Sequence, residues 1–117
     1  MGNIYDVLDA EYHRISDALR KLFKEADIYI GGIERCHYDG EDDELFDLEI
    51  HSRLRVYFSN HELNLYLPFD ILAKIKDICG TNYKLYFLQT GTRYSKGLYL
   101  YLYIEAKEEY LKSIIDD

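Results

Sequence analysis

From Phe46 to Phe58 the chain alternates with a period of two. Phe46, Leu48, Ile50, Leu54, Val56 and Phe58 take the even positions, and Asp47, Glu49, His51, Arg53, Arg55 and Tyr57 take the odd ones. Successive side chains point to opposite sides only in a β-strand, so the pattern predicts a strand with one face on a core. The other face is then wet or covered by polar aromatics. Any fold open to this chain has to set an apolar layer against the even positions.

The other elements supply that layer. Ile4, Leu8, Tyr12, Ile15, Leu19, Leu22 and Ala26 recur at spacings of three and four, which predicts an amphipathic helix over residues 4–25. Asn3 is a good N-cap, Asp6 suits the positive helix end, and Arg20, Lys21 and Lys24 suit the negative one. Ile28, Ile30 and Ile33 then predict a strand reset by a bulge at Gly31-Gly32. After a turn at residues 59–62, Leu63, Leu65 and Leu67 predict a return strand. Pro68 suits the first position of a second helix with Ile71, Leu72, Ile75 and Ile78 on one face, closed by Gly80. Residues 83–89 predict a fourth strand and residues 98–105 a fifth, with a loop at 91–97 between them. A short helix follows over residues 106–115. The order α-β-β-β-α-β-β-α reads as an α+β fold. It implies a mostly antiparallel sheet of about five strands with helices packed on one face.

With 117 residues, 48% of them hydrophobic, the chain is expected to form a single domain spanning 1–117 that folds without metal or disulfides. The N-terminus has neither the basic nor the apolar region of a secretory signal. Gly2 is followed by Asp6 where a myristoylation motif wants Ser or Thr. No apolar run approaches the length of a membrane span. Cys36 and Cys79 form neither a CxxC pair nor a disulfide framework and read as buried reduced thiols. A cytoplasmic protein is the expectation.

The net charge of −8 argues against a general nucleic-acid or anionic-membrane binder, and it is unevenly spread. Residues 28–49 carry net −7, whereas residues 50–104 carry net +4. The acid run comprises Asp39, Glu41, Asp42, Asp43, Glu44, Asp47 and Glu49, with no base among them. An EF-hand starting at Asp39 would need Gly and Glu where the chain has Glu44 and Ile50, so calcium is not expected. The run reads as a solvated turn or as a contact surface that steers a basic partner.

Thirteen tyrosines are the other unusual feature. Tyr57, Tyr66, Tyr99, Tyr101 and Tyr103 alternate with aliphatic core positions, which sets them on the face away from the core. A covering helix, a homodimer through the tyrosine face, or a recognition surface would each account for them. Such faces also stack unpaired bases, and Arg53 and Arg55 beside Tyr57 would suit that use. The charge balance makes nucleic acid an unlikely partner.

Catalytic patterns are weak. Cys36 and His37 are adjacent, so on a strand they point to opposite faces. Glu49, His51 and Arg53 share a face and could act as orienting carboxylate, base and anion clamp, but they also read as a cross-strand charge ladder. His13, His37, His51 and His61 have no metal-ligand spacing. Arg93 and Tyr94, in the loop at 91–97, are candidate partner contacts. No cofactor or metal is expected, and the chain is not expected to be an enzyme. Size, acidity and tyrosine content together suggest a small stoichiometric protein-binding module. Its most concrete form is an inhibitor of a nucleic-acid-handling enzyme, of the immunity-protein or phage anti-defence type, such as an anti-CRISPR. A nucleotide- or RNA-binding module or enzyme using Glu49, His51 and Arg53, and a dimeric structural subunit, are the alternatives.

Overall fold

The computed structural model describes residues 4–36, 53–58, 67–91 and 98–115, with side chains over 6–35, 53–58, 67–88 and 100–114. The apolar stripe of the N-terminal segment forms α1, Ile4–Glu25. Leu8, Tyr12, Ile15, Leu19 and Phe23 are buried along it. The stripe ends on Phe23, with Leu22 only partly buried. Asp6 in the first turn and Lys24 in the last oppose the helix dipole.

The helix stops at Asp27, which takes the left-handed conformation with φ 57°. Asp27 N–H donates to Lys24 C=O at 3.2 Å and Ile28 N–H to Phe23 C=O at 2.8 Å, the paired bonds of a Schellman cap. Asp is one of the few residues that enters this region at small cost. The cap corrects the expected first strand. Ile28 to Ile30 form no ladder, although Ile28 and Ile30 pack on the core while Tyr29 is exposed. Their alternation records burial, not strand pairing. The ladder starts with Gly31 N–H donating to Tyr57 C=O at 2.7 Å, and β1 is Gly32–Cys36.

The alternating segment yields β2, Arg53–Phe58, with Leu54, Val56 and Phe58 buried. Its expected upstream part, 46–52, lies outside the described residues. Pro68 caps α2, Phe69–Cys79, from just before the first helical residue. Its C=O accepts from the N–H groups of Ile71 and Leu72. Ile71, Ile75 and Cys79 are buried, and Gly80 ends the helix at φ 76°, where a side chain would be strained. β3, Tyr83–Gly91, and β4, Leu98–Ala106, follow, and then α3, Glu108–Ile115.

The sheet order is β1-β2-β4-β3, with every neighbouring pair antiparallel. The fold is α+β with three helices and, among the described residues, four strands rather than about five. Leu63 and Leu65, the body of the expected return strand, lie outside the described residues, and Leu67 is not in a strand. Val56, Leu102 and Ile104 on the sheet meet Leu8, Ile15 and Leu19 of α1, Ile75 of α2 and Leu111 of α3 in one core. All three helices therefore bury their apolar residues against the same face of the sheet. No helix among the described residues is long and apolar enough to cross a membrane.

Candidate functional site

The register fixes what the other face of the sheet carries. One row across it is Gly32–Tyr57–Tyr101–Leu88, the next is Glu34–Arg55–Tyr103–Tyr86, and the third is Arg53–Glu105–Lys84. In the backbone register Tyr99 pairs with Thr90. Aromatic and cationic side chains are thus neighbours both along strands and across them, at the spacing where cross-strand pairs interact.

They interlock. Tyr86 stacks on Tyr103 with ring centroids 5.2 Å apart and planes 19° from parallel. The Arg53 guanidinium carbon lies 4.1 Å from the Tyr103 centroid, and Arg53 Nη1 donates to Tyr86 Oη. The Arg55 guanidinium lies 5.0 Å from the Tyr101 centroid and pairs with the Glu34 carboxylate. Tyr57 and Tyr101 are tilted 34° with centroids at 5.4 Å, and Lys84 Nζ sits 3.5 Å from Glu105 Oε2. Stacked guanidinium groups in a partly desolvated layer gain from the ring quadrupoles and are held in fixed rotamers. Burial pushes the Tyr86 phenol above its ordinary value and Glu105 adds to this, while Arg53 opposes it. Tyr86 therefore stays neutral at physiological pH and serves Arg53 as an acceptor.

Beside this lattice Gly32 leaves a gap. A Cβ there would meet nothing within 4 Å, whereas its neighbours along and across the face are Glu34 and Tyr57. The result is a groove of about 360 Å³ bounded by Gly31, Gly32, Ile33, Glu34, Arg55, Tyr57 and Tyr101. Its lining combines two tyrosines with the Glu34–Arg55 pair, a surface for contact and hydrogen bonding.

The structure joins Tyr101 and Tyr103 on one face, with Arg53, Arg55 and Tyr57 beside them. Tyr103 itself is 5% exposed and lies beneath Arg53 and against Tyr86. The side chain of Tyr99 lies outside the described residues, as do Asp39, Glu41, Asp42, Asp43, Glu44, Asp47, Glu49, His51, Tyr66, Arg93 and Tyr94. Tyr86, Glu34, Lys84 and Glu105 belong to the face although sequence reasoning did not assign them to it. Both phases of Tyr83–Leu88 are largely apolar or aromatic, so alternation alone does not say which phase faces the core.

On the helix side, polar groups are structural. Arg14 Nε pairs with Glu11 Oε2 at 2.7 Å, and Arg14 Nη1 donates to the C=O of Ile78 at 2.9 Å. Tyr83 Oη donates to Glu11 Oε1 at 3.4 Å. Burial pushes the Cys79 thiol up to about 11, which makes it a poor nucleophile at neutral pH. Burial likewise raises the Tyr83 phenol, with Glu11 adding to the effect. Both groups hold their protons more tightly folded than unfolded. The stability Cys79 contributes is fully present below its ordinary value of 9.0 and is lost as pH rises through its folded value of about 11, and that of Tyr83 begins to fall only above its ordinary value of 10.0 and is lost at still higher pH. Urea midpoints measured from neutral to strongly alkaline pH should hold and then fall over that window, less steeply in Cys79→Ala. A midpoint that stays flat there would contradict this account of the two groups. Among the described residues no group of three His, Cys, Asp or Glu is placed to hold a metal ion.

Comparison with known proteins finds no matching family model, no matching curated protein and no matching solved structure.

Proposed function

We propose that this chain is a stoichiometric protein-binding module that contacts its partner through the tyrosine–arginine face of the sheet. The observation that carries the reading is the ordered Arg53–Tyr103–Tyr86 and Arg55–Tyr101–Tyr57 lattice on the face opposite the helices. Tyr and Arg dominate interface hot spots because they give large contact area and directed hydrogen bonds at small entropic cost. Here their rotamers are already held by one another, so little ordering remains to be lost on binding.

Base stacking is less well supported. Arg53 lies over the Tyr103 ring and Arg55 over the Tyr101 ring, so a base would have to displace a guanidinium to stack there. The net charge of −8 also disfavours a polyanion.

The more specific form of the proposal is an inhibitor of a nucleic-acid-handling enzyme. What supports it is the acid run Asp39–Glu49, whose seven carboxylates would steer toward a basic surface that otherwise holds phosphates. Association kinetics with a partner captured from the native host test this form. Asp42→Asn, Asp43→Asn and Glu44→Gln together should slow association about tenfold and flatten its salt dependence, with dissociation changing less. A triple variant that associates at the wild-type rate with the same salt slope would remove the acid run from the contact. Alanine at Tyr57 and Tyr101 is the corresponding test of the face.

A further inference from the structure

A second surface lies on the helix side, where the C-terminal end of α1 meets the N-terminal end of α2. A groove of about 520 Å³ opens there, a size that takes a few side chains of a ligand. Leu22, Ala26, Ile28 and Ile71 form its apolar lining, and all four pack on the core. Its charged lining is Glu25, Asp27, Asp70 and Lys74, all exposed. Three carboxylates thus stand against one ammonium group, and among the described residues no ion pair engages any of the three. The two helix ends carry opposite partial charges, so the side chains decide the sign of the groove. Exposed rings adjoin it in the chain. Tyr29, next to Ile28, is 73% exposed, and Phe69, between Pro68 and Asp70, is 90% exposed. At these exposures neither ring contributes much to the fold, and apolar area rimmed by polar groups marks a contact site.

We propose that this groove binds a linear segment of a partner protein in which an aliphatic side chain is flanked by Lys or Arg. The lining selects this occupant. The aliphatic group rests against Leu22, Ile28 and Ile71, which removes apolar surface on both sides from water. The flanking bases meet Glu25 and Asp27 at the end of α1 and Asp70 at the start of α2. An acidic segment would add to three like charges, and a purely apolar one would desolvate them without pairing. The net charge of −8 attracts the same partner at longer range. The inference does not rest on the proposed function, because the tyrosine–arginine lattice lies on the opposite face of the sheet.

Display selection of random decapeptides against the full chain tests it. The expected enrichment is of peptides with an aliphatic residue flanked by Lys or Arg. Added to isotope-labelled chain, the enriched peptides should move the backbone amide signals of residues 22–28 and 69–74 most, and those of residues 53–58 least. The same peptides with Glu in place of Lys and Arg should not bind.

Glu25→Gln with Asp27→Asn removes two carboxylates, and Asn tolerates the left-handed backbone at position 27. This variant should bind the enriched peptides about threefold more weakly or worse, as expected for two exposed ion pairs, and with a flatter salt dependence. Phe69→Ala should weaken them as well. Tyr57→Ala with Tyr101→Ala should bind them as wild type does, which separates this result from any on the tyrosine face. Circular dichroism checks that the variants are folded, and if the carboxylate variant is not, Asp70→Asn is read in its place. A selection that enriches no sequence overturns the proposal. So do enriched peptides that are acidic or uncharged, or that a folded carboxylate variant binds as tightly as wild type. Largest signal changes at residues 53–58 would overturn it too, by placing the contact on the tyrosine face.

Discussion

Phe58→Ala is expected to destabilise the fold by about 3–5 kcal/mol, the cost of removing a fully buried aromatic ring and leaving a cavity. Phe58 has 0% exposure and closes the last even position of β2. It meets Phe23 edge to face, with ring centroids 5.5 Å apart and planes at 88°. Phe23 lies in the last turn of α1, so the pair fastens the helix end to the strand. Edge-to-face pairs add about 0.5–1.5 kcal/mol beyond the area they bury, and the substitution removes that as well. Phe69, first residue of α2, is 90% exposed, so Phe69→Ala should stay within about 0.5 kcal/mol of wild type. Equilibrium urea unfolding of the two variants side by side checks both figures. If they lose equal stability, the assignment of Phe58 to the core is wrong.

Strong periodicity made the helices and the even face of β2 readable in the sequence. Residues 4–25 agree with the helix found because stripe, charge placement and propensity all favour it. Ile28 to Ile30 misled because side chains can alternate between core and water beside a sheet without joining its ladder. What decides the backbone there is the left-handed Asp27, a conformation that composition signals far more weakly than glycine would.

The candidate face was legible on β4, where Leu100, Leu102 and Ile104 alternate cleanly with Tyr101 and Tyr103. On β3 it was not, because aromatic and aliphatic residues occupy both phases and the pairing with β4 chooses between them. The burial of Tyr103 was also hidden. It depends on Arg53 reaching across from the next strand and on Tyr86 stacking from the other side, both non-local events.

The same distinction between open and supporting tyrosines sets the second large effect. Tyr57 and Tyr101 are half-buried and border the groove beside Gly32, whereas Tyr103 lies beneath the guanidinium layer. Truncating both Tyr57 and Tyr101 should remove the centre of the contact, where substitutions cost about 2–4 kcal/mol of binding, or roughly thirty- to a thousandfold in affinity. The fold should survive, because neither ring belongs to the core on the helix side. Tyr103→Ala should do the reverse and lower the melting temperature first, because it empties a buried site on which Arg53 and Tyr86 both rest.

Titration calorimetry of the captured partner against wild type and the Tyr57→Ala, Tyr101→Ala double variant is therefore the most direct measurement. The tyrosine–arginine face predicts that the folded double variant binds at least about thirtyfold more weakly. A folded double variant that binds with wild-type affinity would contradict it and place the contact on another surface.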